Sequence, residues 1–232
     1  MIEISDTWRS THRGAALGVL TMRDVQPRGD YAQFNHKKNS LQDELRERYQ
    51  GKDRSEIIKV PEMQAYASYY KRFKKTYHLL LQLESITHKN KSIPHGPLLV
   101  QAMFMAELNS LLLTAGHDLD QTRGQISLDS STGEETYTLL RNEEVNCKSG
   151  DMAMSDEQGV FCTVIYGQDF RTRITKQTKN VLYAVYVPPG IAAEVIEKHL
   201  SDLEDNVQLI SPEAETEFSH IYFADSANPA AS

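Results

Sequence analysis

From Leu98 to Leu113 apolar residues recur on nearly every side of a helical wheel, Leu98, Ala102, Met105, Leu108 and Leu112 among them. A helix that is apolar all round has to be buried on all sides, so this one must lie at the centre of the fold. Glu107 and Asn109 within it then need partners, because a buried polar group without one is strongly unfavourable. Directly behind the helix comes Thr114-Ala115-Gly116-His117-Asp118-Leu119-Asp120. It reads as a helix stop and turn that sets an imidazole and two carboxylates beside a flexible glycine.

With 232 residues, 40% of them apolar, the chain can bury a core of its own. One domain over residues 1–232 is expected, with its core at about 13–211 and a mobile C-terminal tail. A net charge of -7 argues against a general nucleic-acid coat protein but leaves room for a local basic patch. No stretch has the apolar length of a membrane span, and Met1-Ile2-Glu3-Ile4-Ser5-Asp6 lacks the form of a signal peptide. A soluble cytoplasmic protein without a membrane partner is the expectation. The two cysteines, Cys147 and Cys162, lack zinc or redox spacing and read as reduced thiols.

In chain order, residues 2–5 and Ala15–Met22 read as strands. Phe34, Leu41, Leu45 and Tyr49 mark a surface helix that Gly51 stops, and Pro61 opens another, with Met63, Tyr66, Tyr70 and Phe73 on one side. That helix leads into Tyr69-Tyr70-Lys71-Arg72-Phe73-Lys74-Lys75-Thr76-Tyr77-His78, where cations alternate with aromatics. Such a segment can hold phosphate while stacking on bases, or it can be a helix end whose cations meet the dipole. Leu79–Ile86 reads as a buried helix with Gln82 and Glu84 as polar interruptions, and His88–Pro97 as a loop. Beyond Asp120 the chain turns to short strands at 125–129, 135–139, 152–155 and 160–166, then a central strand at 180–187. An amphipathic helix follows from Ile191 to Val207, and from about Pro212 a polar tail with one apolar run, Ile221-Tyr222-Phe223. The class is α+β, with mixed or antiparallel sheets packed on a central helical block.

No phosphate-binding loop, dinucleotide fingerprint, nucleophile elbow or His-Glu-x-x-His string is present. His117, Asp118 and Asp120 would need further ligands to hold a metal, and none stands out; no cofactor is expected. His117 suits a general base or a water-orienting group, or a helix-end histidine bonded to carbonyls. A second polar cluster, Tyr166-Gly167-Gln168-Asp169-Phe170-Arg171-Thr172-Arg173-Ile174-Thr175, carries guanidiniums suited to carboxylate or phosphate, or simply pairs its own charges as a hairpin loop.

Taken together, Ala115-Gly116-His117-Asp118-Leu119-Asp120, Gly124-Gln125-Ile126 and Thr175-Lys176-Gln177-Thr178-Lys179-Asn180-Val181-Leu182 resemble the editing module, B3/B4, of the bacterial phenylalanyl-tRNA synthetase beta chain. The likeness runs from roughly Arg13 to Ile191. Tyr70-Lys71-Arg72-Phe73, Pro94 and Pro189-Gly190 look like the module's free-standing branch. The resemblance implies a deacylase that clears mischarged tRNA in trans, with the aminoacylated 3′ end as partner, and no ligase activity, since the aminoacylation motifs are missing.

It also implies a pocket between the helical block and the later sheet, with His117 and Asp118 as catalytic candidates near the 166–175 loop. Tyr166, Arg171 and Thr172, with Glu107 and Gln82 chosen for their polarity in apolar surroundings, are the substrate-binding candidates; Glu84 shares that polarity. Arg72, Lys74, Lys75 and Tyr77 are the RNA-binding ones. The synthetase commonly has its histidine two positions earlier, in a His-Ala-Phe-Asp string, so its role does not pass to His117 by position, whereas Asp118, Leu119 and Asp120 match. A non-catalytic module that binds an amino acid, a tRNA end or a protein on the same fold is the alternative.

Overall fold

Leu111 is where the central helix stops. In the computed structural model, which describes residues 2–28 and 31–226, that helix runs over Leu98–Ser110 and Leu111 turns into the left-handed region at φ 64°. The turn is held by the Tyr77 hydroxyl, which donates to the Leu111 carbonyl at 3.1 Å. Thr114–Asp118 then forms a strand, not the helix-end turn expected from its glycine. Gly116 is needed there for its size: a Cβ would lie 2.7 Å from Ile174 Cδ1 and 3.0 Å from Met103 Sδ.

The elements are β1 (Glu3–Ile4), α1 (Asp6–Thr11), β2 (Ala16–Arg23), α2 (Ala32–Arg48), α3 (Arg54–Ile57), α4 (Pro61–Arg72), α5 (His78–Thr87), α6 (Leu98–Ser110) and β3 (Thr114–Asp118). They continue with a 3-10 turn (Leu119–Gln121), β4 (Ser127–Ser130), β5 (Thr136–Thr138), β6 (Glu144–Asn146), β7 (Met152–Asp156), β8 (Gly159–Thr163), β9 (Gly167–Gln168), β10 (Val181–Val187), α7 (Ala193–Ile210) and β11 (Glu215–Phe223). One sheet is antiparallel in the order β11-β2-β10-β3, and a second has the order β1-β4-β7-β8-β9, parallel only at β1–β4. β5 and β6 form a separate ribbon. The fold is α+β, as the sequence predicts.

β10 is buried along its whole length because both its faces are covered. On one face lie α6 and α7: a Cβ on Gly18 would meet Ile196 and Leu200 of α7, and one on Gly116 would meet Met103 of α6. On the other face lies the second sheet, where the His117 ring meets Phe161 of β8 edge-on, 4.9 Å between centroids.

The segment read as a polar tail contains β11, paired with β2 from Arg23 to Ala16. Its side chains are exposed or half-buried throughout, with Phe218, Ile221 and Tyr222 resting on the core, so this edge strand shows little apolar alternation. The short β6 and β9 also escape the pattern, as does α1, which is started by the Ser5 side chain accepting from Trp8 N–H at 2.9 Å. Residues 227–232, expected to be mobile, lie outside the described residues, as do Gly29 and Asp30 of the turn expected after β2.

Candidate active site

A cleft of about 610 Å³ opens between α6, the start of β3 and the β8–β9 strands, with Leu139, Leu140 and Arg141 forming one lip. The resemblance implies a pocket between the helical block and the later sheet, and this cleft lies there without His117 or Asp118 in its lining. Val100, Met103 and Phe104 of α6 face Val164 and Ile165 across it. The side of α6 that carries these residues is only half-buried, so its apolar wheel is covered by protein on the other sides and faces the cleft on this one.

Glu107 is the carboxyl in this lining, 3% exposed, and its Oε1 accepts from the Thr114 N–H at 2.7 Å. Burial pushes its pKa up to about 8, and the bond from Thr114 only partly opposes that shift. At neutral pH the side chain is therefore a carboxylic acid, able to donate a hydrogen bond. The phenols of Tyr66, Tyr70 and Tyr77 surround it on the protein side and donate to the carbonyls of Tyr186, Val164 and Leu111 at 2.6, 2.9 and 3.1 Å. They stay protonated through burial.

Cys162 and Tyr186 also line the cleft. Burial pushes the Cys162 thiol up to about 12, so no thiolate forms there. The Tyr186 hydroxyl lies against that thiol and has no conventional hydrogen-bond partner among the described residues. The Thr114 hydroxyl is tied to His199 Nε2 at 2.7 Å, and His199 Nδ1 to Ser110 at 2.7 Å, a bridge that joins α6, α7 and β3. Residue alternation puts Thr114 and Gly116 on the helical face of β3.

At the mouth, Tyr166 is half-buried with Lys75 Nζ 5.8 Å and Lys148 Nζ 5.9 Å from its ring centroid. Both lysines are exposed. Arg141, also on the lip, is paired with Glu143 at 2.6 Å.

The candidate residues of the sequence divide into two groups. Glu107 and Tyr166 line the cleft; His117, Asp118, Arg171, Thr172 and Gln82 do not. His117, Asp118 and Thr172 do meet one another behind it. His117 is fully buried, its Nδ1 lies 2.7 Å from Thr172 Oγ1, and its Nε2 has no hydrogen-bond partner among the described residues. Thr172 Oγ1 donates its own proton to Asp169 at 2.5 Å, so His117 Nδ1 must be the donor. Burial, reinforced by the Arg171 guanidinium, lowers the His117 pKa to about 3.

Asp118 uses both oxygens structurally, accepting from Asp120 N–H at 3.1 Å and Thr178 Oγ1 at 2.7 Å. Arg171 is held by both oxygens of Asp156, at 2.8 and 3.0 Å. Gln82 sits half-buried on α5, and Glu84 is paired with Arg54 at 2.6 Å. Of the RNA-binding candidates, Arg72, Lys74 and Lys75 are exposed. Tyr77 is 2% exposed and stacked on Tyr66 at 4.4 Å, so its ring is closed to a nucleobase. Lys148 and Tyr186 had no signal in the sequence, because only the pairing of β7, β8 and β10 with their neighbours brings them to the cleft. Among the described residues, no group of three His, Cys, Asp or Glu side chains could hold a metal ion, and no helix is long and apolar enough to cross a membrane.

The sequence profile of the B3/4 domain matches residues 67–202, a span that holds α6, β3, the whole cleft lining and both lip lysines. The phenylalanine–tRNA ligase beta subunit of Mycoplasma pneumoniae (strain ATCC 29342 / M129 / Subtype 1) is 35% identical over 69 residues, which cover 30% of this chain and 9% of that protein. A crystal structure of an N-terminal fragment of the phenylalanyl-tRNA synthetase beta-subunit from Pyrococcus horikoshii is similar with a TM-score of 0.47 and 12% identity, over 95% of this chain and 53% of that one. The chain thus spans under a tenth of the curated relative and about half of the solved fragment.

Proposed function

This chain belongs to the B3/4 domain family, and we propose that its cleft receives the acyl group of a mischarged tRNA and hydrolyses the ester in trans. The observation that carries this reading is the joining of an apolar cleft, floored by a neutral acid, to a lip of two lysines around a tyrosine. An aminoacylated RNA end has matching parts in the same order: an acyl side chain, a ribose and flanking phosphates. Lys75 and Lys148 meet phosphate, Tyr166 packs on the ribose, and the acyl group enters between α6 and β8. Exposed Arg72, which donates to the Gly150 carbonyl at 3.4 Å, and exposed Lys74 add cations for the flanking phosphates.

The reaction needs water to attack the acyl carbon, an oxyanion to be stabilised, and the ribose oxygen to leave with a proton. No side chain in the cleft is an activated nucleophile, so water attacks directly. A neutral Glu107 contributes a hydrogen bond without repelling the developing negative charge, as an ionised carboxylate would. His117 and Asp118 act as positioning residues. The His117–Thr172–Asp169 chain fixes the segment leading out of β9, whose Gly167 and Gln168 form part of the cleft wall.

The test is to offer the purified protein a panel of labelled aminoacyl-tRNAs. Ester loss above buffer for at least one of them is expected; none across a broad panel contradicts the reading. A second reading, a module that binds an aminoacylated end without hydrolysing it, is favoured by the closure of His117 and Asp118 away from the cleft. Tight binding of a non-hydrolysable amide-linked analogue with no ester loss would select it.

A further inference from the structure

Phe170 stands 41% exposed beside the Leu139–Arg141 lip. The Arg173 guanidinium lies 3.6 Å from the centre of its ring, with Nη1 donating back to the Phe170 carbonyl. Phe170 is pinned in place: its N–H donates to Thr138 O at 2.9 Å, and the preceding Asp169 bridges to Leu139, which lines the cleft. Leu140, next to Leu139, is 47% exposed and also lines the cleft.

We infer that Phe170 and Arg173 form a stacking platform for the unpaired nucleotides that precede the aminoacylated end of an RNA. This rests on the cleft being the seat of that end. Three observations favour RNA as the occupant. An exposed ring backed by a planar cation is the chemistry on which nucleobases stack regardless of sequence. Arg173 has no ion-pair partner among the described residues, so its charge is available to a phosphate. The pair is tied to the cleft lining through the Asp169–Leu139 bridge, and the mouth of that cleft gathers Lys75 and Lys148 around Tyr166 in a chain whose net charge is -7. The loop does not need the pair to hold its shape, since Asp169–Thr172 and Arg171–Asp156 bonds already fix it.

The test uses the full chain and an unacylated, labelled single-stranded RNA of about twelve nucleotides, with its blunt duplex as control, read by fluorescence anisotropy. Phe170→Ala is expected to weaken single-strand binding about tenfold with little change in its salt dependence, and Phe170→Tyr to keep it. Arg173→Ala should lower the slope of log affinity against log salt by about 0.7. The duplex should bind more weakly and be indifferent to Phe170→Ala. Unchanged single-strand affinity in a Phe170→Ala protein of unaltered melting temperature overturns the inference. So does equal loss for strand and duplex, or absence of wild-type binding at low salt. Because the probe has no ester, failure of hydrolysis leaves this result standing. Conversely, a protein that deacylates tRNA with Phe170→Ala as well as without it keeps the function and loses the platform.

Discussion

The Glu107 carboxyl accepts a hydrogen bond from the backbone N–H of Thr114 at 2.7 Å, so the group that floors the cleft also ties the end of α6 to the start of β3. Burial raises its pKa from 4.5 to about 8. Between those two values the folded chain holds a proton that the unfolded chain releases. The stabilisation is full below 4.5 and is lost as pH rises through about 8. Glu107→Gln keeps the bond from Thr114 and cannot ionise. The wild type is therefore expected to lose melting temperature relative to this variant between about pH 5 and about pH 9. Parallel curves would show that Glu107 is ionised in the fold.

His117 carries the opposite sign. Its pKa falls from 6.5 to about 3, so the unfolded chain takes up the proton first and stability declines as pH falls below 6.5. Buried His12 and His199, both lowered to about 4, push the same way. Nitrogen NMR of labelled histidine should find His117 neutral, with Nδ1 protonated, at about pH 5. An imidazolium at that pH would mean that the ring opens to solvent and would restore it as a candidate for proton transfer.

Cys147 and Cys162 are buried, with thiols raised to about 11 and about 12. A disulfide reagent at neutral pH should titrate neither in the folded protein and both on unfolding. Alkylating reagent applied to the folded chain should leave any deacylation unchanged. Rapid modification of Cys162 with parallel loss of turnover would point to a thiolate in the cleft.

Lys75 and Lys148 both approach the Tyr166 ring at the cleft mouth, at 5.8 and 5.9 Å from its centroid. Replacing both with Ala should weaken single-stranded RNA binding and lower its salt slope by about 1.4, two phosphate contacts at roughly 0.7 each. Undiminished slope would place the RNA elsewhere.

The parts of the fold that were readable have strong local signals. α6 is apolar on every side and β10 is a continuous apolar run, so their burial could be read directly. Thr114–Asp118 misled because a glycine before two polar residues suggests a turn, whereas Gly116 serves to let Met103, Ile174 and Tyr183 pack close to a strand. β11 is an edge strand with no fully buried residue, so its pattern reads as a polar tail.

At the site, Glu107 stood out as a carboxyl in an apolar helix. The denser polar motifs hold His117, Asp118 and Arg171, whose hydrogen bonds go to their own neighbours behind the cleft. Lys148 is 73 residues from its counterpart Lys75, and only the assembled sheet brings them to one ring.

The claim that the cleft is where an aminoacyl ester is cleaved is tested most directly at Val100, a half-buried position on its α6 wall. Deacylation of the best aminoacyl-tRNA of the panel should be measured for the wild type and Val100→Trp at matched melting temperature. An indole filling the cleft is predicted to lower turnover by about 100-fold while single-stranded RNA binding at the lip persists. Equal turnover in the two proteins would contradict the account and move the chemistry out of the cleft.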